Sequence, residues 1–322
     1  MNGRKWLQLA VAAAGMTLAS AVFAQAWPTK PVRVIVPFGP GGGTDIQGRL
    51  LGKKFYESMG QTFFLENRAG ASGLIGAELI AHSPPDGYNI LFTTASLSVN
   101  VSLYKKIAFD PVKDLLPVSW ISSVPLVLVV HPSVPAKSAQ ELVALTRRQR
   151  GGLNGASNGA GTTSHLSLEM LKQFAGAKLE HIAYKGGGPA IAAMVSGEVD
   201  FQFATALAAK PFIGQGKVRA LAVTTAKKSG AFPDLPTMAS IYPGFESDNW
   251  YAMFLPAGTP KDIAAKLNAE IVKALKSPEI RDFIVKEGGD PVGSTPEELA
   301  AYFKREVDKY ARIIKAGNIT AE

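Results

Sequence analysis

The chain has 322 residues, 47% apolar and 19% charged, which excludes a disordered chain and supplies material for one large core or two. The absence of cysteine excludes disulfides, thiolate metal sites, iron–sulfur clusters and a cysteine nucleophile, and four histidines, His82, His131, His165 and His181, leave little for a histidine metal site. The formal charge of +8 is spread thinly: its densest run, Arg147-Arg148-Gln149-Arg150, ends an expected helix where cations are favoured, and no aromatic residues interleave it as nucleic-acid binding would require.

Residues 1–24 have the pattern of a secretory signal peptide. Arg4 and Lys5 precede an apolar segment from Leu7 to Leu18, and Ser20-Ala21-Val22-Phe23-Ala24-Gln25 offers small residues for cleavage after Ala24. The apolar segment is shorter than the roughly 20 residues that span a bilayer, so the expectation is a soluble product exported to the periplasm. Losing Arg4 and Lys5 lowers its formal charge to +6.

Beyond the leader, β-branched runs alternate with helical stretches. Val32 to Phe38 reads as a buried strand, and Ile46 to Ser58 as an amphipathic helix with Leu50, Leu51 and Phe55 on one side. Phe63 to Asn67 and Ile90 to Thr94 are the next strands, with a helix from Ile75 to Ala81 between them and a turn at Pro84-Pro85-Asp86-Gly87. A βαβαβ order implies a parallel sheet. The strand Leu126 to His131 leads through Pro132 and Pro135 to a helix from Ser138 to Arg147, and Tyr251 to Leu255 leads through Pro256 and Pro260 to a helix from Asp262 to Leu275. This repeated phrase suggests two related lobes. Between them lies a second α/β unit, with strands Leu153 to Ser157, Leu179 to Ala183, Val199 to Phe203 and Val218 to Thr224, and helices Ser164 to Phe174 and Pro189 to Ser196. A last helix, Pro296 to Ala316, starts behind Thr295 as N-cap with Glu298 three residues on.

Four joints run from glycine into an expected helix: Gly39 to Asp45, Gly70 to Gly73, Gly155 to Thr163 and Gly186 to Pro189. A helix start presents unpaired N–H groups, glycine lets a ligand approach the backbone, and Ser or Thr adds hydroxyls, so such joints suit an anion. In a parallel sheet they all fall at the carboxyl ends of strands, where open α/β sheets hold ligands. Any one of them also reads as a tight turn. None has the spacing of a dinucleotide fingerprint or a P-loop. Gly155-Ala156-Ser157-Asn158-Gly159 is G-x-S-x-G between a strand and a helix, which keeps a serine hydrolase built on Ser157 as an alternative. That chemistry needs an acid and then a histidine later in the chain, and only His165 and His181 follow Ser157.

Several motifs in order resemble one family. Pro37-Phe38-x-Pro40-Gly41-Gly42-x-x-Asp45, Glu66-Asn67-Arg68-x-Gly70-Ala71-x-Gly73-x-Ile75-Gly76-Ala77-Glu78, Pro85-Asp86-Gly87-Tyr88, Ser157-x-Gly159-x-Gly161-Thr162-x-x-His165-Leu166, Tyr184-Lys185-Gly186-Gly187-x-Pro189-Ala190 and Trp250-Tyr251 followed by Pro256-Ala257-Gly258-Thr259-Pro260 are similar to the tripartite tricarboxylate transporter substrate-binding family, the Bug receptors. The similarity covers about residues 27 to 318.

The resemblance implies an α/β, two-lobed periplasmic binding protein of type II-like form, each lobe a mostly parallel sheet flanked by helices. Residues 1–24 would be the signal peptide, 27–122 and 228–322 the first lobe and 123–227 the second. It implies a receptor, not an enzyme, with no cofactor, metal or catalytic residue. The receptor closes on a small organic carboxylate (mono-, di- or tricarboxylate, or an amino acid), acts as a monomer without nucleic-acid partners, and serves membrane transporter subunits. A sensory receptor of the same fold is a further alternative. Phe38, Gly41, Gly42, Gly43 and Thr44 would line one wall of the cleft. Ser157, Asn158, Gly161, Thr162, Thr163 and His165 would line the other, with Thr94 and Ser96 next to them. Asp45 fits the motif either as a contact to a ligand amine or as an N-cap. Three departures from the family pattern are Ala69, Ala204-Thr205 and Ala239-Ser240-Ile241-Tyr242; the second alters the far end of the pocket.

Overall fold

Short β-branched runs buried on both faces organise two sheets. The computed structural model describes residues 27–104, 106–225 and 228–320; the expected signal peptide lies outside them. The first sheet uses β1 (Val32–Val36), β2 (Phe63–Asn67) and β3 (Asn89–Thr94), with α1 (Gly43–Met59) and α2 (Leu74–Ala81) as crossovers and α3 (Ser96–Leu103) after it. The long β4 (Leu115–Val130) then leads through α4 (Ala139–Arg148) into the second sheet. That sheet contains β5 (Leu153–Ser157), α5 (Thr163–Ala175), β6 (Leu179–Ala183), α6 (Gly187–Ser196), β7 (Phe201–Thr205), α7 (Ala206–Gly214) and β8 (Arg219–Val223). A short α8 (Met238–Ile241) precedes β9 (Asp248–Pro256), α9 (Lys261–Leu275), α10 (Pro278–Lys286), the two-residue β10 (Asp290–Pro291) and α11 (Pro296–Gly317).

The sheets are mixed, which corrects the expectation of mostly parallel ones. β2, β1 and β3 run parallel, as do β6, β5 and β7. β9 is antiparallel to β3, and β4 is antiparallel to β9, β10, β7 and β8. One strand therefore serves both sheets. Residues Leu115–Pro125 of β4 pair with β9, whereas Leu126–Val130 pair with β7 on one side and β8 on the other. Pro117 and Pro125 interrupt the apolar pattern of its first half, and the register shifts near Pro117 and Trp120, so only the run from Leu126 looks like a strand in sequence.

Alternation along each strand fills cores on both faces. Val34 and Val36 pack with Phe55 and Phe92 on one face of the first sheet, while Ile35 packs with Leu91, Trp250 and Phe254 on the other. In the second sheet Leu126, Leu128 and Val130 face Leu166, Phe201 and Phe203. Each such side chain contributes about 1.5–3 kcal/mol by leaving water. The expected capping box at α11 is present: the Glu298 N–H donates to Thr295 Oγ1 at 3.2 Å and the Thr295 N–H to Glu298 Oε2 at 2.9 Å. This helix bridges the sheets. Leu299 and Phe303 pack with Trp250, whereas Tyr310, Ile313 and Ile314 join the core of the second sheet, where Gln173 Nε2 donates to the Ile313 carbonyl at 3.0 Å.

Candidate functional site

The first wall begins where β1 ends. α1 starts at Gly43, earlier than its apolar periodicity implies, and its first intrahelical bond runs from the Ile46 N–H to the Gly42 carbonyl at 3.0 Å. The N–H groups of Gly43, Thr44 and Asp45 precede that bond and have no intrahelical acceptor. Asp45 does not offer its carboxylate to a ligand here. Its Oδ2 accepts from the Gly41 N–H at 3.0 Å and from Arg49 Nε at 3.1 Å, and its Oδ1 accepts from Arg49 Nη2 at 2.8 Å. Burial alone would raise its pKa, but these bonds, Asn67 and the Arg49 charge hold it below the usual carboxylate value. Asp45 thus pins the glycine loop to the helix. Gly42 keeps φ at −82°, open to any residue, and a Cβ there would find only the Gly39 carbonyl, at 3.9 Å.

The second wall is tied together from within. Thr162 caps α5: its Oγ1 accepts from the His165 N–H at 3.3 Å and donates to the Gly159 carbonyl at 2.7 Å. His165 lies buried beneath the loop, where its Nδ1 accepts the Gly161 N–H at 3.1 Å, so a neutral ring carries its proton on Nε2. Asn158 Oδ1 accepts from Gln202 Nε2 at 3.1 Å, which leaves its Nδ2 as a donor for a ligand. Ser157 is fully buried, and its Oγ takes the Gly159 N–H at 3.1 Å and lies 2.6 Å from His181 Nε2. The serine–histidine pair that sequence order made improbable is present. Its serine is nevertheless fully buried, and the ring stacked on the half-buried His181 is another imidazole, His165, at 4.1 Å between centroids.

The two walls share a neighbour, the turn Ala71–Gly73. Phe38 packs at Gly73, where a Cβ would lie 3.2 Å from its ring, and Ser72 Oγ donates to the Ala160 carbonyl of the second wall. Asn100 Nδ2 supports the turn by donating to the Ser72 carbonyl at 2.9 Å. Ala71 and Ser72 hold φ of 45° and 52°, a left-handed conformation that costs a non-glycine residue of order 1–2 kcal/mol. Lys210 Nζ reaches the Lys286 carbonyl at 3.4 Å and makes a second contact between helices of the two sheets.

Sequence reasoning offered these loops and several of their side chains to a ligand, and the structure shows what some of those side chains hold within the loops. Asp45, Thr162 and His165 spend their polar atoms on the loops themselves, and Ser157 is bonded inward. Thr44, Thr163, Thr94 and Ser96 are buried at the helix starts, where the Ser96 N–H donates to Thr94 Oγ1 at 3.3 Å. Ser72, Asn100, Gln202, Tyr251 and Glu287 were missed. Ser72 belonged to a recognised glycine-rich joint and Tyr251 to the quoted Trp250-Tyr251 motif; the other three carry no sequence signal, because register and tertiary packing alone bring them here. A cavity of about 580 Å³ between Ile213 and Phe232 is lined by none of these loops.

Two α/β sheets sharing one strand, with helix starts behind glycine-rich loops brought together at Ser72 and Ala160, are the frame of a solute-binding protein. The family model for the tripartite tricarboxylate transporter family receptor matches residues 48–319, and the chain belongs to that family. Protein BugT of Bordetella pertussis is 36% identical over 308 residues, 95% of this chain and 94% of its own. Among solved structures, R. palustris Rpa4515 with adipate is 33% identical with a TM-score of 0.86, covering 91% of this chain and 99% of that one. MatC from Rhodopseudomonas palustris with bound malate is 31% identical with a TM-score of 0.83, covering 89% and 100%. The family and these neighbours are substrate-binding proteins, not enzymes. No helix among the described residues is long and apolar enough to cross a membrane.

Proposed function

We propose that the chain is an exported receptor that captures a small organic carboxylate between its lobes and delivers it to a tripartite tricarboxylate-type membrane transporter. The first lobe would comprise residues 27–122 and 228–322 and the second 123–227, with α11 reaching across. The observation that carries this reading is the pair of helix starts, Gly43–Asp45 and Thr163–Ser164, from different sheets and joined through Ser72 and Ala160. Unpaired N–H groups and positive helix ends favour a carboxylate there. Relatives bound to adipate and malate support the same ligand class. Export rests on the leader pattern, and N-terminal sequencing of periplasmic protein should begin at Gln25. An intact Met1 on membrane-bound material would overturn it.

The ligand class is tested by thermal melts. A matching acid at 100 times its dissociation constant should stabilise the protein by about 2.7 kcal/mol. That is roughly 5 to 11 °C at about 2–4 °C per kcal/mol, and the neutral amide of the same acid should give little shift. Gly42→Val fits the local dihedrals and should fold, yet lose the shift, because its branched side chain occupies the ligand's approach to the backbone. Equal shifts from acid and amide, or full binding by the variant, would place the site elsewhere.

A further inference from the structure

One buried carboxyl beside the first turn of α1 has no assigned work. Glu287 ends α10 just before Gly288 and Gly289, and is 4% exposed. Its position touches both lobes. A Cβ at Gly43, the first residue of α1, would lie 3.9 Å from Glu287 Oε2 and 2.6 Å from Tyr251 Oη, while one at Gly288 would lie 3.0 Å from Ala206 Cβ at the start of α7. Glu287 Oε1 is buried without a hydrogen-bond partner. A satisfied structural carboxyl would have both oxygens bonded or a cation beside it.

We propose that Glu287 is a specificity-determining residue whose carboxylic acid, held beside the first turn of α1, donates its O–H to the ligand's carboxylate. The inference rests on the carboxylate reading above and sharpens it. Burial pushes the Glu287 carboxyl up to about 8, so at neutral pH it holds a proton and acts as a donor. A ligand carboxylate at the unpaired N–H groups of α1 is a ready acceptor, and two acid groups sharing one proton avoid the repulsion of two buried anions. Once Glu287 ionises, it repels the ligand and competes for the same helix end.

The surrounding groups leave this titration identifiable. Tyr251 on β9 is held protonated by burial and by Glu287, and its Oη accepts from Asn249 Nδ2 at 3.2 Å. On α1, Asp45 is clamped by Arg49 and stays ionised. Lys286 in α10 adjoins Glu287, Lys210 Nζ on α7 reaches the Lys286 carbonyl at 3.4 Å, and Lys228 and Asp290 line a pocket with Gly288 and Asp248. His165 and His181 titrate near 4, below the range of interest. Among the described residues Asp248 is a competitor: burial, chiefly, raises it to about 7 where its Oδ2 accepts from Ser123 Oγ at 3.3 Å.

Calorimetric titration of the intact mature protein with malate and with adipate from pH 6.5 to 9.5 tests the proposal. The probes' own carboxyl groups titrate around pH 4 to 5, below that window. Wild-type affinity should hold near pH 7 and weaken about thirtyfold by pH 9.5, approaching tenfold per pH unit above the Glu287 pKa. E287Q keeps a donor of the same shape and should bind with an affinity that changes less than about threefold across the range. D248N should keep the wild-type slope. A flat wild-type profile, a slope retained in E287Q, a slope lost in D248N, or affinity that rises with pH would each overturn the assignment. Should E287Q fail to fold, the wild-type and D248N profiles still decide. Failure of both acids to bind at pH 7 would instead overturn the carboxylate reading, and this inference with it.

Discussion

The stacked imidazoles under the second wall make stability depend on acid. Burial pushes His165 down to about 4, with Lys172 adding to the effect, and pushes His181 down to about 4, with His165 and Lys172 adding to it. The unfolded rings titrate near 6.5. Between pH 6.5 and 4 the unfolded chain therefore binds protons that the folded one refuses, and stability falls as the pH is lowered through that window. The loss is at most about 3 kcal/mol per ring. Melts of the unliganded protein should show a falling midpoint from pH 6.5 downward, and His181→Gln should make that slope shallower; an identical slope would mean the ring is already charged or exposed. His181 was visible as a residue but not as the partner of Ser157. The two come together because β5 and β6 pair with Gly155 opposite His181, a register no local pattern announces. The loops around Asp45 and Thr162 were legible as helix starts, but the work of the two side chains was not: Gly42, not Asp45, is the N-cap of α1, Asp45 holds Gly41 and Arg49 from the first turn, and Thr162 caps α5.

Among the elements, α1 gives the sharpest test because it begins on a glycine for a steric reason. A Cβ at Gly43 would come within 2.6 Å of Tyr251 Oη, and Tyr251 is buried against Phe92 with ring centroids 6.1 Å apart. Gly43→Ala should cost about 1–3 kcal/mol of overpacking in urea unfolding, and adding Tyr251→Phe should recover part of it. Wild-type stability in the single variant would show that the ring yields freely. The strands β1 to β3 and the helix behind Thr295 were readable because period and caps agree. α3 was not: Ser96-Leu97-Ser98-Val99-Asn100-Val101-Ser102-Leu103 alternates like a strand, yet six of these eight residues are buried in a helix, so no amphipathic stripe remains. The first half of β4 was hidden by its prolines for the opposite reason, a true strand with breakers in it.

For the whole molecule, the contact from Ser72 to the Ala160 carbonyl joins the lobes and should exist only when they are together. Ser72→Ala removes one hydrogen bond from the closed arrangement, about 0.5–1.5 kcal/mol, so ligand affinity should fall roughly two- to tenfold. The melting midpoint of an open, unliganded protein should stay unchanged; a lowered midpoint with intact affinity would make Ser72 a purely local support. The two-lobed plan was legible because glycine joints and repeated strand–helix phrases sit at strand ends. The sharing of one strand was not, because it depends on antiparallel pairing between residues more than 70 positions apart.

α11 adds a third tether to the two chain crossings between the lobes. Phe303 is anchored beside Trp250 in one core and Tyr310 in the other, with six residues of continuous helix between them. A rigid rod fixed at both ends bends little, so any opening must be absorbed as sliding at one of its sockets. The range of opening angles is then limited by side-chain packing in a socket as well as by hinge torsions. Tyr310→Ala should loosen that socket and broaden the distance distribution between spin labels on the two lobes in the absence of ligand, while leaving the ligand-bound distribution narrow. An unbroadened distribution would locate the restraint in the crossing strands instead. Affinity in this protein would thus be set partly by a helix that touches no ligand, acting as the spring against which the cleft shuts.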